Sequence, residues 1–183
     1  MKKLIIGFAG EISSGKGTAT KYVLEKHGGN SSRFSTMLRD VLKRVYIEET
    51  RENMQKLSTF LRQTFGEDLL AKVMSEDVKN NQNEIVVIDG IRRLADIEYL
   101  KKNPEFKLIY IDAEPAIRFE RLKIRKENPD DAQKTFEQFQ KDHEQEAELQ
   151  IKDLKQQADY VIDNNESLDN LNAQIEKIIS ENQ

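Results

Sequence analysis

The sequence predicts an α/β protein built on a doubly wound, five-stranded parallel sheet. Three observations carry this expectation. Short apolar runs of strand length recur along the chain, helical periodicity fills the intervals between them, and the first run leads directly into a glycine-rich loop. Strands that alternate with helices need crossover connections, and a sheet made that way is covered on both faces.

The strand-like runs are Lys3 to Ala9, Glu84 to Asp89, Phe106 to Asp112 and Ala158 to Asp163, with a weaker one near Arg33 to Ser35. Ile85-Val86-Val87-Ile88 is apolar without alternation, as a strand buried on both faces should be. Between Thr36 and Asn83 the apolar residues Met37, Leu38, Val41, Leu42 and Val45, then Leu57, Phe60, Leu61, Phe65, Leu69 and Val73, recur at helical spacing. Two or three helices are therefore inserted there, their apolar residues read mainly as core packing. A long helix is predicted over Lys134 to Gln157, with Phe136, Phe139, His143, Ala147, Ile151 and Leu154 on one stripe. The tail from Asn164 reads as a closing amphipathic helix, and Pro104, Pro115 and Pro129 each fall at an element boundary.

The loop Gly10-Glu11-Ile12-Ser13-Ser14-Gly15-Lys16-Gly17-Thr18 follows the first strand and precedes a helix-permitting stretch. In that setting glycines let consecutive backbone N–H groups turn inward around a phosphate, and the next helix adds its positive end. Gly10, Ser13, Ser14, Gly15, Lys16, Gly17 and Thr18 are the nucleotide-binding candidates, with Lys16 reaching the terminal phosphates as a flexible point charge. The pattern G-x-x-x-x-G-K-[ST] is missed at Gly17, and the first hydroxyl comes at Thr18. A Mg²⁺ ion would then be held through water, the nucleotide and a carboxylate elsewhere.

Asp89, at the end of a strong strand, is the natural carboxylate for that role, since open α/β sheets take ligands at the carboxyl edge of their strands. Its alternative role is to cap the following turn. Gly90-Ile91-Arg92-Arg93 follows, and one of the two guanidinium groups is placed to clamp an anion. With Arg39, Arg62, Arg118, Arg121 and Arg125, these arginines come from separate segments around the phosphate loop, a distribution that suits a second, phosphorylated substrate. Arg118, Arg121 and Arg125 share one helix face by their spacing.

Composition narrows the classes. The chain has 183 residues, 37% hydrophobic and 34% charged, which suits one domain whose helices carry broad solvated faces. Net charge is −4 and no dense Lys/Arg block occurs, which argues against a nucleic-acid surface. Without cysteine there is no disulfide, thiolate metal site or thiol catalysis. No run is long enough for a signal-peptide core or a membrane span, so a cytoplasmic location is expected. The two histidines, His27 and His143, are too isolated to suggest a metal site.

On these motifs the sequence resembles the nucleoside monophosphate kinases of adenylate-kinase type, and within them the short-lid and dephospho-CoA-kinase-like proteins. Gly15-Lys16-Gly17-Thr18 matches that family's own phosphate loop. Ser35-Thr36-Met37-Leu38-Arg39 is similar to the segment whose arginine holds the acceptor phosphate, and Asp89-Gly90-Ile91-Arg92-Arg93 to the Asp-Gly-x-x-Arg motif. Arg121 and Arg125 match the arginine pair that opens the lid, Asn128-Pro129-Asp130-Asp131 stands where a short lid turns, and Ala158 to Asn164 looks like the last strand of dephospho-CoA kinases.

The resemblance implies a single P-loop kinase domain over 1–183, with an acceptor-binding insertion at about 36–80 and a lid at about 118–145. It implies ATP and Mg²⁺, Lys16, Arg93, Arg121 and Arg125 as catalytic residues, and Arg39, Arg62, Arg92 and Arg93 on a small phosphorylated acceptor, with Arg92 or Arg93 as the clamp. A monomer or homodimer is expected, without nucleic-acid or membrane partners. Where the lid's return helix usually supplies another arginine, this chain has Lys141. The glutamine with which adenylate kinases read the AMP base is absent after Arg93. Two alternatives stand beside a nucleoside monophosphate as acceptor: a dephospho-CoA-kinase-like activity, and an ATP-gated interaction module with little transfer.

Overall fold

In the computed structural model five strands form one all-parallel sheet in the order β2-β3-β1-β4-β5. The structure describes residues 2–125, 134–142 and 146–183. The strands are β1 (Leu4–Ala9), β2 (Asn30–Arg33), β3 (Ile85–Asp89), β4 (Phe106–Asp112) and β5 (Tyr160–Asp163). The helices are α1 (Lys16–His27), α2 (Phe34–Arg44), α3 (Arg51–Phe65), α4 (Leu69–Asn80), α5 (Leu94–Ile97), α6 (Pro115–Arg125), α7 (Phe136–Asp142), α8 (Glu146–Gln157) and α9 (Leu168–Asn182).

β1 lies in the middle of the sheet, between β3 and β4, and every residue in it is buried. Its alternate residues feed two cores, as the pleat requires. Leu4, Ile6 and Phe8 pack with Ala19 and Val23 of α1 and with Leu171, Ile175, Ile178 and Ile179 of α9. Ile5 and Ala9 pack on the other face with Met74 and Val78 of α4 and with Ile151 and Leu154 of α8. The chain leaves β1 toward β2 and β3 on one side and later returns to β4 and β5 on the other. That reversal places the open crevice of a doubly wound sheet at the carboxyl end of β1.

Two expectations are corrected. The weak strand near Arg33 to Ser35 lies at Asn30–Arg33 instead. Gly29 sets its start, at φ +93 with any Cβ running into the Ile85 carbonyl, and Phe34 already begins α2. Within the helix expected over Lys134 to Gln157 the described helical parts are α7 and α8, and 143–145 lie outside the described residues. Not all the helical apolar stripe is core: Val41, Val45, Phe60, Phe65 and Phe136 are exposed, and no described residue of α3 is fully buried. α3 packs mainly on α2 and α4, and one of its sides faces a cavity.

Candidate functional site

The loop after β1 is shaped by positions only glycine fills easily. Gly10 stands at φ +145, where a Cβ would strike the Ile111 carbonyl, and Gly15 at φ +112, where it would strike the Asn164 amide. Ser13 also takes a positive φ, of 58°. α1 begins at Lys16, so the first-turn N–H groups and the helix dipole face the loop. Lys16 Nζ donates to the carbonyls of Gly10 at 2.6 Å and Glu11 at 2.8 Å. Ser13 Oγ and Ser14 Oγ are buried with no hydrogen-bond partner among the described residues. Buried hydroxyls without partners cost free energy, so a loop holding two of them beside an ammonium group fits an anionic ligand such as a polyphosphate. Gly17 and Thr18 lie exposed in the first turn of α1, and a Cβ at Gly17 would meet nothing within 4 Å.

Two contacts brace this loop from behind. Asn164, 5% exposed at the end of β5, donates Nδ2 to the Ser14 carbonyl at 2.7 Å, and its backbone N–H donates to the Asp112 carbonyl at 2.8 Å. Arg118 of α6 is 3% exposed and pairs through Nη2 with Glu11 Oε2 at 3.1 Å. The expected grouping of Arg118 with substrate-facing arginines is therefore corrected, because its guanidinium is committed to the phosphate loop. The sequence carried a signal for this, an acidic Glu11 inside a loop that should welcome anions.

Asp89 ends β3 in register with Arg33 of β2, and Arg33 Nε lies 3.0 Å from its Oδ2. Mg²⁺ keeps several waters and commonly takes only one or two protein carboxylates alongside substrate phosphates. A single carboxylate at the edge of β3, next to the carboxyl end of β1, fits that demand. Arg33 was not singled out by the sequence.

A cavity of about 380 Å³ opens between α2, α3 and the segment after β3, lined by Ser35, Leu38, Gln55, Arg62, Gln63 and Arg93 among others. Asp96 organises one wall. It is 4% exposed, and its Oδ2 accepts the backbone N–H of Arg92 at 3.0 Å and of Arg93 at 3.1 Å. Its Oδ1 lies 3.8 Å from Arg62 Nη2. Burial raises the Asp96 pKa, against the two backbone donors and the Arg62 charge that favour the carboxylate. Arg62 also donates to the Glu67 carbonyl at 2.7 Å. Of the four arginines expected on the acceptor, Arg62 and Arg93 line this cavity. Arg92 meets Asp96 through its backbone and its side chain is exposed. Arg39 pairs instead with Glu49, at 3.4 Å.

On α6, Arg121 Nη1 is buried without a hydrogen-bond partner among the described residues, and burial lowers the guanidinium pKa. The side chain of Arg125, the turn at 128–131 and His143 lie outside the described residues. Lys141 pairs with Glu137 at 3.1 Å. Phe119, Leu122 and Phe139 form a small core between α6 and α7, against which Ile12 of the phosphate loop packs.

Residues 10–140 match the AAA domain family. The whole chain is similar to UPF0200 protein TK1334 of Thermococcus kodakarensis, 33% identical over 183 residues that cover 97% of each chain. The chain belongs to the UPF0200 family. A second relative, the UPF0200/UPF0201 protein of Archaeoglobus fulgidus, is 31% identical over 179 residues. That match covers 96% of this UPF0200 chain but 54% of the relative, so the chain spans about half of that protein's length. Among solved structures, a shikimate kinase from Bacteroides thetaiotaomicron superposes with a TM-score of 0.64 at 16% identity, covering 97% of both chains. At that identity the likeness is one of fold, and the fold of this UPF0200 protein is P-loop kinase-like. No helix among its described residues is long and apolar enough to cross a membrane.

Proposed function

We infer that this protein is an ATP-dependent phosphotransferase acting on a small phosphorylated acceptor, a (deoxy)nucleoside monophosphate. The observation that carries the reading is the convergence of Arg62 and Arg93 on one cavity at the same sheet edge as a phosphate loop with orphaned buried hydroxyls. A loop alone suits any nucleotide hydrolase; a second cavity carrying two arginines at the same sheet edge suits transfer.

Phosphoryl transfer asks the protein mainly to position groups and to offset charge. Bound Mg²⁺·ATP supplies the phosphoryl group and much of the neutralising charge. Lys16, Ser13, Ser14 and the amides of Gly10 to Thr18 would hold the donor phosphates, and Asp89 would be the carboxylate that helps to hold the metal. Arg62 and Arg93 hold the acceptor's phosphate by bidentate bonds. Arg121 and Arg125 close over the reacting groups and exclude water, a role in which one arginine is worth ~10³-fold or more in rate.

A dephospho-CoA-like acceptor is the second reading, resting on the resemblance of Ala158 to Asn164 to the last strand of dephospho-CoA kinases. One coupled assay of ADP release tests both, with each (d)NMP and dephospho-CoA offered to the wild type and to Arg121→Ala. Transfer to a monophosphate that collapses in Arg121→Ala supports the first reading. Turnover confined to dephospho-CoA supports the second. ATP binding with no transfer to any acceptor would leave a nucleotide-gated interaction module in place of both.

A further inference from the structure

Glu11 poses an electrostatic problem. It places a carboxylate in the loop that, on the reading above, must receive a polyphosphate, and only 12% of its side chain is exposed. At an intermediate effective dielectric a charge several ångströms away acts on an anionic ligand with about 1–4 kcal/mol, enough to decide whether the ligand binds. Arg118 answers that charge. Its guanidinium contacts Glu11 Oε2 at 3.1 Å, donates from Nη1 to the Ile12 carbonyl at 3.3 Å, and donates from Nε to the Ala113 carbonyl at 3.0 Å. The Phe139 ring of α7 lies 5.5 Å from the guanidinium carbon. One side chain therefore touches two consecutive loop residues, the end of β4 and the base of the lid region.

We propose that Arg118 is a positioning residue of the nucleotide site: by pairing with Glu11 and holding the Ile12 carbonyl, it neutralises the phosphate loop and makes it competent to take a polyphosphate. This rests on the nucleotide reading. A merely structural ion pair predicts a different pattern, because removing either partner of a buried pair then weakens folding, and binding with it, in the same direction. Under the proposal the two partners act oppositely on binding: the carboxylate opposes the ligand and the guanidinium favours it.

The test is calorimetric titration of ATP with and without Mg²⁺ into the full chain, at fixed ionic strength, for wild type, R118M, E11Q and E11Q/R118M, with thermal melts beside each. R118M is expected to bind about tenfold more weakly, E11Q more tightly than wild type, and the double variant to recover most of what R118M loses. Unchanged affinity in R118M, or a double variant no tighter than R118M, overturns the proposal. Should R118M fail to fold, E11Q decides alone: tighter binding than wild type supports the proposal, and equal or weaker binding overturns it. Absence of ATP binding by the wild type overturns the nucleotide reading and this inference together, whereas a wild type that binds beside an indifferent R118M removes the inference alone.

Discussion

The Asn164 amide donates to the Ser14 carbonyl at 2.7 Å, tying the end of the last strand to the middle of the phosphate loop 150 positions earlier in sequence. Both partners are almost wholly buried. The same amide lies where a side chain on Gly15 would have to go, so it also fixes the approach of the loop to β5.

Asn164→Ala leaves the Ser14 carbonyl buried without its donor. An unsatisfied buried acceptor costs about 1–3 kcal/mol, so the unfolding midpoint is expected to fall. ATP affinity is expected to fall as well, because the loop loses a fixed point. A thermal melt and an ATP titration on the same sample check this, and a variant that melts early yet binds ATP as wild type would show that Asn164 serves stability alone.

Lys16→Ala separates the two effects the other way. Lys16 Nζ donates to two carbonyls of its own loop, those of Gly10 and Glu11. Intraloop bonds of a partly exposed ammonium contribute little to global stability, whereas the point charge is central to phosphate binding. Little change in melting with at least about tenfold weaker ATP binding is expected, each 1.4 kcal/mol of lost contact being worth that factor. A large drop in melting temperature would contradict this assignment.

The sheet and the phosphate loop were legible in the sequence for a local reason. Unalternated apolar runs such as Ile85 to Ile88 and the spacing of Gly10, Gly15 and Lys16 each state their structure within a few residues. What stayed hidden depends on partners far away. Nothing local distinguishes Arg118, buried against Glu11, from Arg121 on the same helix. Arg33 gains its meaning only when β2 is laid beside β3 and meets Asp89. Phe60 and Phe65 keep helical spacing yet stay exposed, packing edge to face with ring centroids 6.4 Å apart, because α3 packs mainly on α2 and α4.

Arg62 and Arg39 make opposite demands on an acceptor assay. Arg62 lines the cavity beside Arg93, with 14% of its side chain exposed and Asp96 at 3.8 Å. Arg39 pairs with Glu49 at 3.4 Å and does not line it. Arg62→Ala is expected to raise the acceptor KM by at least about tenfold, the loss of one charge-assisted bidentate contact. Arg39→Ala should raise it far less. Steady-state kinetics with the acceptor varied at saturating ATP decides, and the reverse ranking would return the acceptor clamp to the segment after β2.

Two carboxyl groups contribute to the acid limb of stability with opposite signs. Glu176 of α9 reaches His27 Nε2 at 2.8 Å and Lys26 Nζ at 3.0 Å at the end of α1. Burial works to raise its pKa, but hydrogen bonds from His27, Lys26 and Tyr22 together outweigh it and bring the value from 4.5 down to about 2. A carboxyl whose folded pKa is depressed binds fewer protons folded than unfolded. Its contribution is therefore complete above about 4.5 and is lost as pH falls toward 2. Asp96 behaves inversely: burial raises its folded pKa above 3.8, so the folded chain takes up its proton first and gains relative stability as pH falls through that range. In urea melts taken from pH 7 to pH 2.5, Glu176→Gln should flatten the decline of the midpoint in acid, and Asp96→Asn should steepen it while lowering the midpoint throughout. Parallel curves for Glu176→Gln and wild type would mean that the contact between α1 and α9 carries no proton-linked stability.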